Sequence, residues 1–219
     1  MALNLDAGLP ASDLAQWVAI AAALGWASGM RLYAVVFFTG LAGWLGWVGL
    51  PPGLTVLQHP WVLGASGLML VVEFFADKIP GLDTLWDGVH TLIRIPAGAA
   101  LAAAVFSGQG GADQAAWTTI AALLGGTLAA TAHTAKATTR AAVNTSPEPF
   151  SNIGLSLLGD AAVPTMLWLS WVHPFGFFVA LALAVLVALL LTVWLFRFLR
   201  LLWRRFGGGR RAAPGLSEH

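Results

Sequence analysis

The chain keeps nearly all of its ionisable residues out of three long stretches, and this segregation constrains the fold more than any other feature. No Asp, Glu, Lys or Arg occurs from Leu32 to Val72 or from Ala161 to Phe196, and Ile95 to Ala132 carries only Asp113. Each stretch exceeds the roughly 20 apolar residues that cross a bilayer. With 58% hydrophobic and 10% charged residues, the composition departs from that of soluble domains, where about a quarter of residues are charged. The expected fold is all-α: a polytopic transmembrane helical bundle of six to seven membrane elements. Residues 1–206 form it as one domain, and 207–219 form a flexible tail after Gly207-Gly208-Gly209. The absence of cysteine removes disulfides and thiolate metal sites.

The remaining charge is unevenly placed. Arg197, Arg200, Arg204, Arg205, Arg210 and Arg211 cluster at the C-terminal end, whereas the segment before the first apolar stretch has Asp6 and Asp13 and no basic residue. The positive-inside rule puts the C-terminus in the cytoplasm. Lacking the basic n-region of a secretory signal, Leu14 onward is expected to stay in the mature protein as a membrane helix.

Gly, Pro and Asp mark the helix boundaries. Ser12 or Asp13 can cap a helix from Leu14 to about Ala27, and Ser28-Gly29 permits a break before an apolar run from Leu32 to Trp47, giving either two short passes or one kinked helix. A helix is expected from Pro60 to Lys78, then an amphipathic one from Asp83 to Arg94, then a brief apolar element from Pro96 to Phe106. Asp113 can cap a helix from Gln114 towards Asn144. A segment from Ser151 to Trp171, with a kink at Pro164, precedes a last helix from Pro174 to about Arg205. Arg31 followed by His59-Pro60, and Arg140 followed by His173-Pro174, form a weak internal echo. The echo suggests structural repeats 14–108 and 114–206 with a shared site between them, as in many transporters.

Charge returns in two internal islands, Glu73 to Arg94 and His133 to Asp160, where hydrocarbon makes it costly. Asp83, Asp87, His90 and Arg94 fall at i, i+4, i+7 and i+11 and share one helix face. That face either lies in water at the membrane surface or turns inward beside Glu73 and Asp77, where neighbouring carboxylates favour a proton or cation. His133, Lys136, Arg140 and Asn144 line a second, basic stripe with the same long spacing. Paired with the acids, it holds helices in register; left partly unpaired, it suits a carboxylate or phosphate. Asn144-Thr145-Ser146-Pro147-Glu148-Pro149 must interrupt its helix. The helix restarting near Ser151 would then aim a positive N-terminus at the break; alternatively the stretch is an ordinary polar loop outside the membrane.

Four strings carry a family resemblance: Arg31-Leu32-Tyr33-Ala34-Val35-Val36-Phe37-Phe38-Thr39-Gly40, Val72-Glu73-Phe74-Phe75-Ala76-Asp77-Lys78-Ile79-Pro80-Gly81, Trp86-Asp87 with His90, and Asn144 through Leu157. They resemble a bacterial family of small polytopic membrane proteins catalogued only as a domain of unknown function. The likeness runs from about Gly29 to His173. It implies an integral protein of the bacterial inner membrane and transfers no activity.

The sequence holds no His-Glu-x-x-His helix, P-loop or dinucleotide fingerprint. No cofactor is expected, metal binding is left undecided, and an enzymatic role is open but not favoured. Asp83-x-x-x-Asp87-Gly88 lacks the further paired aspartates of lipid-headgroup transferases. The leading expectation is a transporter-like protein with a buried polar site for a small ion or anionic solute. Arg31, His133, Lys136, Arg140, Asn144, Ser146, Glu148 and Asn152 are the candidates for holding the solute. Glu73, Asp77, Asp83, Asp87 and His90 are the candidates for coupling a proton or cation. The alternatives are a membrane enzyme acting on a phospholipid or isoprenoid phosphate, and a non-catalytic assembly factor whose stripes are structural ion pairs. Membrane lipids are the expected partners; nucleic acid is not, since the arginine tail is explained first by topology and lipid headgroups. A homo-oligomer is left open.

Overall fold

A computed structural model describes residues 11–79, 81–108, 113–145 and 150–207. Six helices follow in order: α1 (Ala11–Trp44), α2 (Pro60–Ala76), α3 (Leu82–Phe106), α4 (Gln114–Val143), α5 (Phe150–Val172) and α6 (Pro174–Gly207), with a 3-10 helix, Pro52–Gln58, before α2. No strand occurs among the described residues. Five helices are long and apolar enough to cross a membrane, and a sixth is reached if the 3-10 helix and α2, bent by 69°, count as one span. The chain is an all-helical, multi-pass membrane protein.

Local chemistry explains most boundaries. Pro60 opens α2 at a position that needs no N–H, and the His59 side chain accepts a hydrogen bond from the Trp61 amide. Gly81, at φ +88°, turns the chain from α2 into α3, a conformation that a Cβ disfavours. The expected division of 83–106 into two elements does not occur: α3 runs through Pro96. Within a bilayer, neighbouring helices and side chains accommodate the bond that proline removes. Pro164 likewise lies inside α5. Asp113 occupies the N-cap of α4, but its side chain makes no capping bond.

The alternatives for the first stretch are resolved by Arg31, whose φ of −150° and ψ of 87° break α1. Before Arg31 the chain runs antiparallel to α3, with Trp17 against Phe106 and Gly25 against Gly98. After Arg31 it returns. Phe37 meets Gly67, Gly40 meets Leu57 and Leu63, and Gly43 meets Gln58, while Gly53 lies against Ala104 and Ser107 at the far end of α3. Both ends of α1 therefore sit at the same end of the bundle, and Arg31 is the apex of a re-entrant hairpin. Exposed Trp44, Trp47 and Trp61 gather at this tryptophan end, as in the aromatic belt of a membrane interface. The α2–α3 turn, the end of α4 and the start of α5 occupy the opposite, charged end.

Small residues set how closely the helices approach. A Cβ added at Gly25 would lie 2.4 Å from the Cα of Gly125, and one at Gly29 would lie 2.2 Å from the carbonyl oxygen of Ala129. With Gly98 and Ala102 on α3, these residues let three backbones meet, because lipid supplies no hydrophobic drive between helices and close packing must. Side chains on α3 are sorted inside out relative to a soluble helix. Leu85, Val89 and Leu92 face outward, whereas Asp83, Asp87, His90 and Arg94 are buried.

Candidate functional site

The two islands meet. Arg31 at the α1 apex, Glu73 on α2, Asp77 and Lys78 just after it, three residues of α3, two of α4 and Asp160 on α5 form one connected ionic network. Its cations are Arg31, Lys78, Arg94, Lys136 and Arg140; its anions are Glu73, Asp77, Asp83, Asp87 and Asp160. Five charges of each sign sum to zero. The acidic stripe thus takes the inward orientation, not the one at the membrane surface.

Asp77 is the hub. Its carboxylate lies 3.0 Å from Arg31 Nη1, 3.0 Å from Lys136 Nζ and 3.4 Å from Arg140 Nη2. Its backbone carbonyl, free where α2 ends, accepts from Arg140 Nη1 at 2.7 Å. Lys136 also donates to the Met30 carbonyl at 3.1 Å. That carbonyl sits next to the break at Arg31, so a cation answers backbone that the hairpin apex exposes. Arg31 in turn reaches α5, donating from Nη2 to the Ser156 carbonyl and hydroxyl and pairing with Asp160 at 2.9 Å. Lys78 pairs with the same carboxylate at 3.0 Å and stands 3.1 Å over the Phe74 ring.

The deeper branch is built around Arg94, 2.6 Å from both Glu73 and Asp87. Asp87 also receives Lys136 at 3.0 Å. Thr91 gives its hydroxyl proton to the Asp87 carbonyl, so His133 Nε2, 2.7 Å away, is the donor to Thr91. Its Nδ1 then faces Arg94 at 3.4 Å as an acceptor, a tautomer assigned from these partners. His90 Nδ1 donates to the Trp86 carbonyl, leaving Nε2 to accept from the Tyr33 hydroxyl at 3.2 Å. At the charged end, Asp83 holds Arg140 at 3.0 Å and accepts from Asn144 and from the Gly81 and Thr84 amides.

Of the expected site residues, Arg31, Glu73, Asp77, Asp83, Asp87, His133, Lys136, Arg140 and Asn144 belong to this assembly, and Asn152 joins it through Oδ1, 3.4 Å from Arg140; His90 is buried on the same face of α3 but bonds to Tyr33 and the Trp86 carbonyl. Ser146 and Glu148 lie outside the described residues, as does the Pro147–Pro149 break, although α4 ends at Val143 and α5 starts at Phe150 as an interruption there requires. Lys78, Asp160, Ser156, Thr91 and Tyr33 were not expected at the site. Asn152, Ser156 and Asp160 stand at i, i+4 and i+8, a stripe legible in the sequence as the other two were.

Pairing is incomplete. Glu73 Oε2, Asp87 Oδ2, Arg94 Nε and Asn152 Nδ2 are buried without a hydrogen-bond partner among the described residues, and Arg31 Nη1 touches Asp77 without hydrogen-bond alignment. A cavity of about 530 Å³ lies beside the network among α1, α4, α5 and α6. Its charged lining residues are Arg31, Lys136 and Arg140, with no acid. The network's carboxylates therefore stand behind its cations as seen from the cavity. No group of His, Asp and Glu among the described residues is arranged to hold a metal ion.

An all-helical bundle with a re-entrant hairpin and a charge-balanced buried network defines a polytopic membrane protein with polar residues gathered inside it. The chain belongs to the family described as Domain of unknown function (DUF4126), whose model matches residues 18–196. No curated protein and no solved structure matches it.

Proposed function

We propose that this protein is a transporter-like protein of the bacterial inner membrane that binds an anionic solute at Arg31, Lys136 and Arg140. The observation that carries the reading is the one-sided cavity: three cations line it and no carboxylate does. Two of them are arginines, whose planar forks bond two oxygens of a carboxylate or phosphate at once. The broken hairpin at Arg31 supports it too, since unwound backbone at membrane depth is a feature of transporter sites.

Charge balance adds a rule. An anion entering a neutral network in a low-dielectric interior leaves an uncompensated charge, which is costly. Uptake of one proton or monovalent cation per negative charge removes that cost. Glu73 and Asp87, each with a buried oxygen that lacks a hydrogen bond among the described residues, are the acceptors for it. Solute and proton move together in this scheme. The arginine-rich C-terminus faces the cytoplasm by the positive-inside rule.

A second reading is favoured by the even pairing itself: the network is a structural clamp, as buried ion pairs often are. A thermal-shift panel of small carboxylates, phosphates and inorganic ions separates the two, because a ligand stabilises the native state by mass action. The proposal expects a selective shift that Arg140→Ala abolishes and the charge-keeping Arg140→Lys, which secures a folded comparison, reduces. No shift across the panel in the wild-type protein overturns it in favour of the clamp.

A further inference from the structure

We infer that the ligand of this site is a single-chain anionic amphiphile, whose head meets Arg31, Lys136 and Arg140 and whose chain lies in the crevice between α4, α5 and α6. The inference rests on the anion site proposed above and names its substrate class. Three features of the cavity carry it.

The first is shape and lining. Beyond the three cations, the walls are almost wholly apolar, with Trp26, Leu155, Ala162 and Met166 typical. A volume of about 530 Å³ is within the range of small-molecule pockets and is far larger than a phosphate or small carboxylate requires. A site for a water-soluble ion would need polar walls along its path; this one offers them at its inner end alone.

The second is the entrance. Leu158, Val187 and Leu191 form part of the lining and are also exposed on the outer face of the bundle. In a bilayer that face meets acyl chains, so the crevice opens sideways to lipid. α4 and α5 make few contacts with one another, and the gap between them is covered by α6. A chain can slide in without leaving hydrocarbon.

The third is the head position. Gly159 on α5 packs directly beside Arg31: a Cβ placed there would make ordinary contact, 3.6 Å from Arg31 Nε and 3.7 Å from the Met30 side chain. Arg31 Nη1 lacks a hydrogen-bond partner at 2% exposure of the side chain. A buried guanidinium held to Asp77 by charge without an aligned hydrogen bond, next to a glycine and at the inner end of an apolar crevice, is matched by an acidic group carried on a tail.

The physics also fixes where selectivity comes from. Lipid tails are as apolar as the crevice, so moving a chain from one to the other contributes little. The preference must lie in the head. An anionic amphiphile should therefore bind much better than a neutral one with the same chain.

The test uses the full chain in nanodiscs of zwitterionic lipid and reads the motionally restricted fraction of spin-labelled probes. Doxyl-stearate and a chain-matched phosphate monoester are compared with neutral methyl doxyl-stearate, and acetate and inorganic phosphate serve as head-only competitors. At least tenfold preference for either anionic probe is expected, and carboxylate against phosphate identifies the head. Ala162→Phe, which fills the crevice without touching the ion pairs, should lower amphiphile binding at least tenfold and leave binding of the short anion unchanged. Equal binding of the neutral ester, or undiminished binding by Ala162→Phe, overturns the inference. If short anions bind with dependence on Arg140 while the amphiphiles do not, the substrate class is wrong and the anion site stands. If no anion binds, both fall.

Discussion

Replacing Asp77 by Asn keeps the size of the side chain and removes one charge, which isolates the energetics of the network from packing. The carboxylate sits within 3.4 Å of Arg31, Lys136 and Arg140, so its neutralisation leaves five cations against four anions in a buried setting. Arg31 keeps Asp160, Lys136 keeps Asp87, and Arg140 keeps Asp83. No cation is orphaned, but the assembly carries a net charge. Removing one partner from a buried ion pair costs about 3–5 kcal/mol, and a chain of this length moves about 2–4 °C per kcal/mol. The expected loss in unfolding midpoint is therefore about 6–20 °C. Asp77→Asn combined with Lys136→Gln restores neutrality and should recover at least half of the loss, which an additive pair of unrelated lesions would not. Unfolding in mixed micelles, followed by circular dichroism, is the assay. A single variant within about 1 kcal/mol of wild type, or a double variant less stable than the single, would refute the view that charge balance governs this core.

Other predictions follow from the same geometry. Arg94→Met strands Glu73, while Asp87 keeps Lys136, and should cost about 3–5 kcal/mol, whereas Glu73→Gln, which leaves Arg94 paired with Asp87, should cost clearly less in the same unfolding measurement. Gly125→Ala would set a Cβ 2.3 Å from the Ala102 Cβ and 2.7 Å from the Gly98 oxygen and should destabilise by about 1–3 kcal/mol; Gly64→Ala, with nothing within 4 Å, should be near neutral. Because the chain has no cysteine, single cysteines report sidedness directly. Trp47→Cys and Ser107→Cys should react with an impermeant maleimide from one membrane face and Thr145→Cys from the other. Labelling of Trp47→Cys and Ser107→Cys from opposite faces would rule out the hairpin at Arg31.

Much of the site is legible in the sequence because charge in an apolar chain is informative wherever it recurs at helical spacing. Asp83, Asp87, His90 and Arg94 define one stripe and His133, Lys136, Arg140 and Asn144 another, and the fold joins them as ion pairs. Arg31 was harder to place. Ser28-Gly29 just before it permits a break but does not say whether the chain bends or reverses; the reversal follows from Phe37 and Gly40 packing on α2 and the chain before it, contacts distant in sequence. Pro96 misled in the other direction. Proline is a sound breaker in water, but α3 is held on both sides of it by Gly98 against α1 and by Arg94 in the network. Lys78 lies just past the end of α2, where charge is ordinarily solvated, and Asp160 stands in the middle of α5; only the packing of α5 against the α1 apex brings them together.

The claim that the network is a coupled anion site is tested most directly by proton movement. Protein reconstituted into liposomes containing a pH-sensitive dye is given an inward gradient of the anion selected by the binding measurements, with the membrane potential clamped. The network's neutrality predicts internal acidification that follows the anion gradient, persists at zero potential and is lost in Arg140→Ala. Anion entry that instead carries net charge across the clamped membrane without moving protons or a co-cation, or no entry at all with the wild-type protein folded and binding, would contradict it.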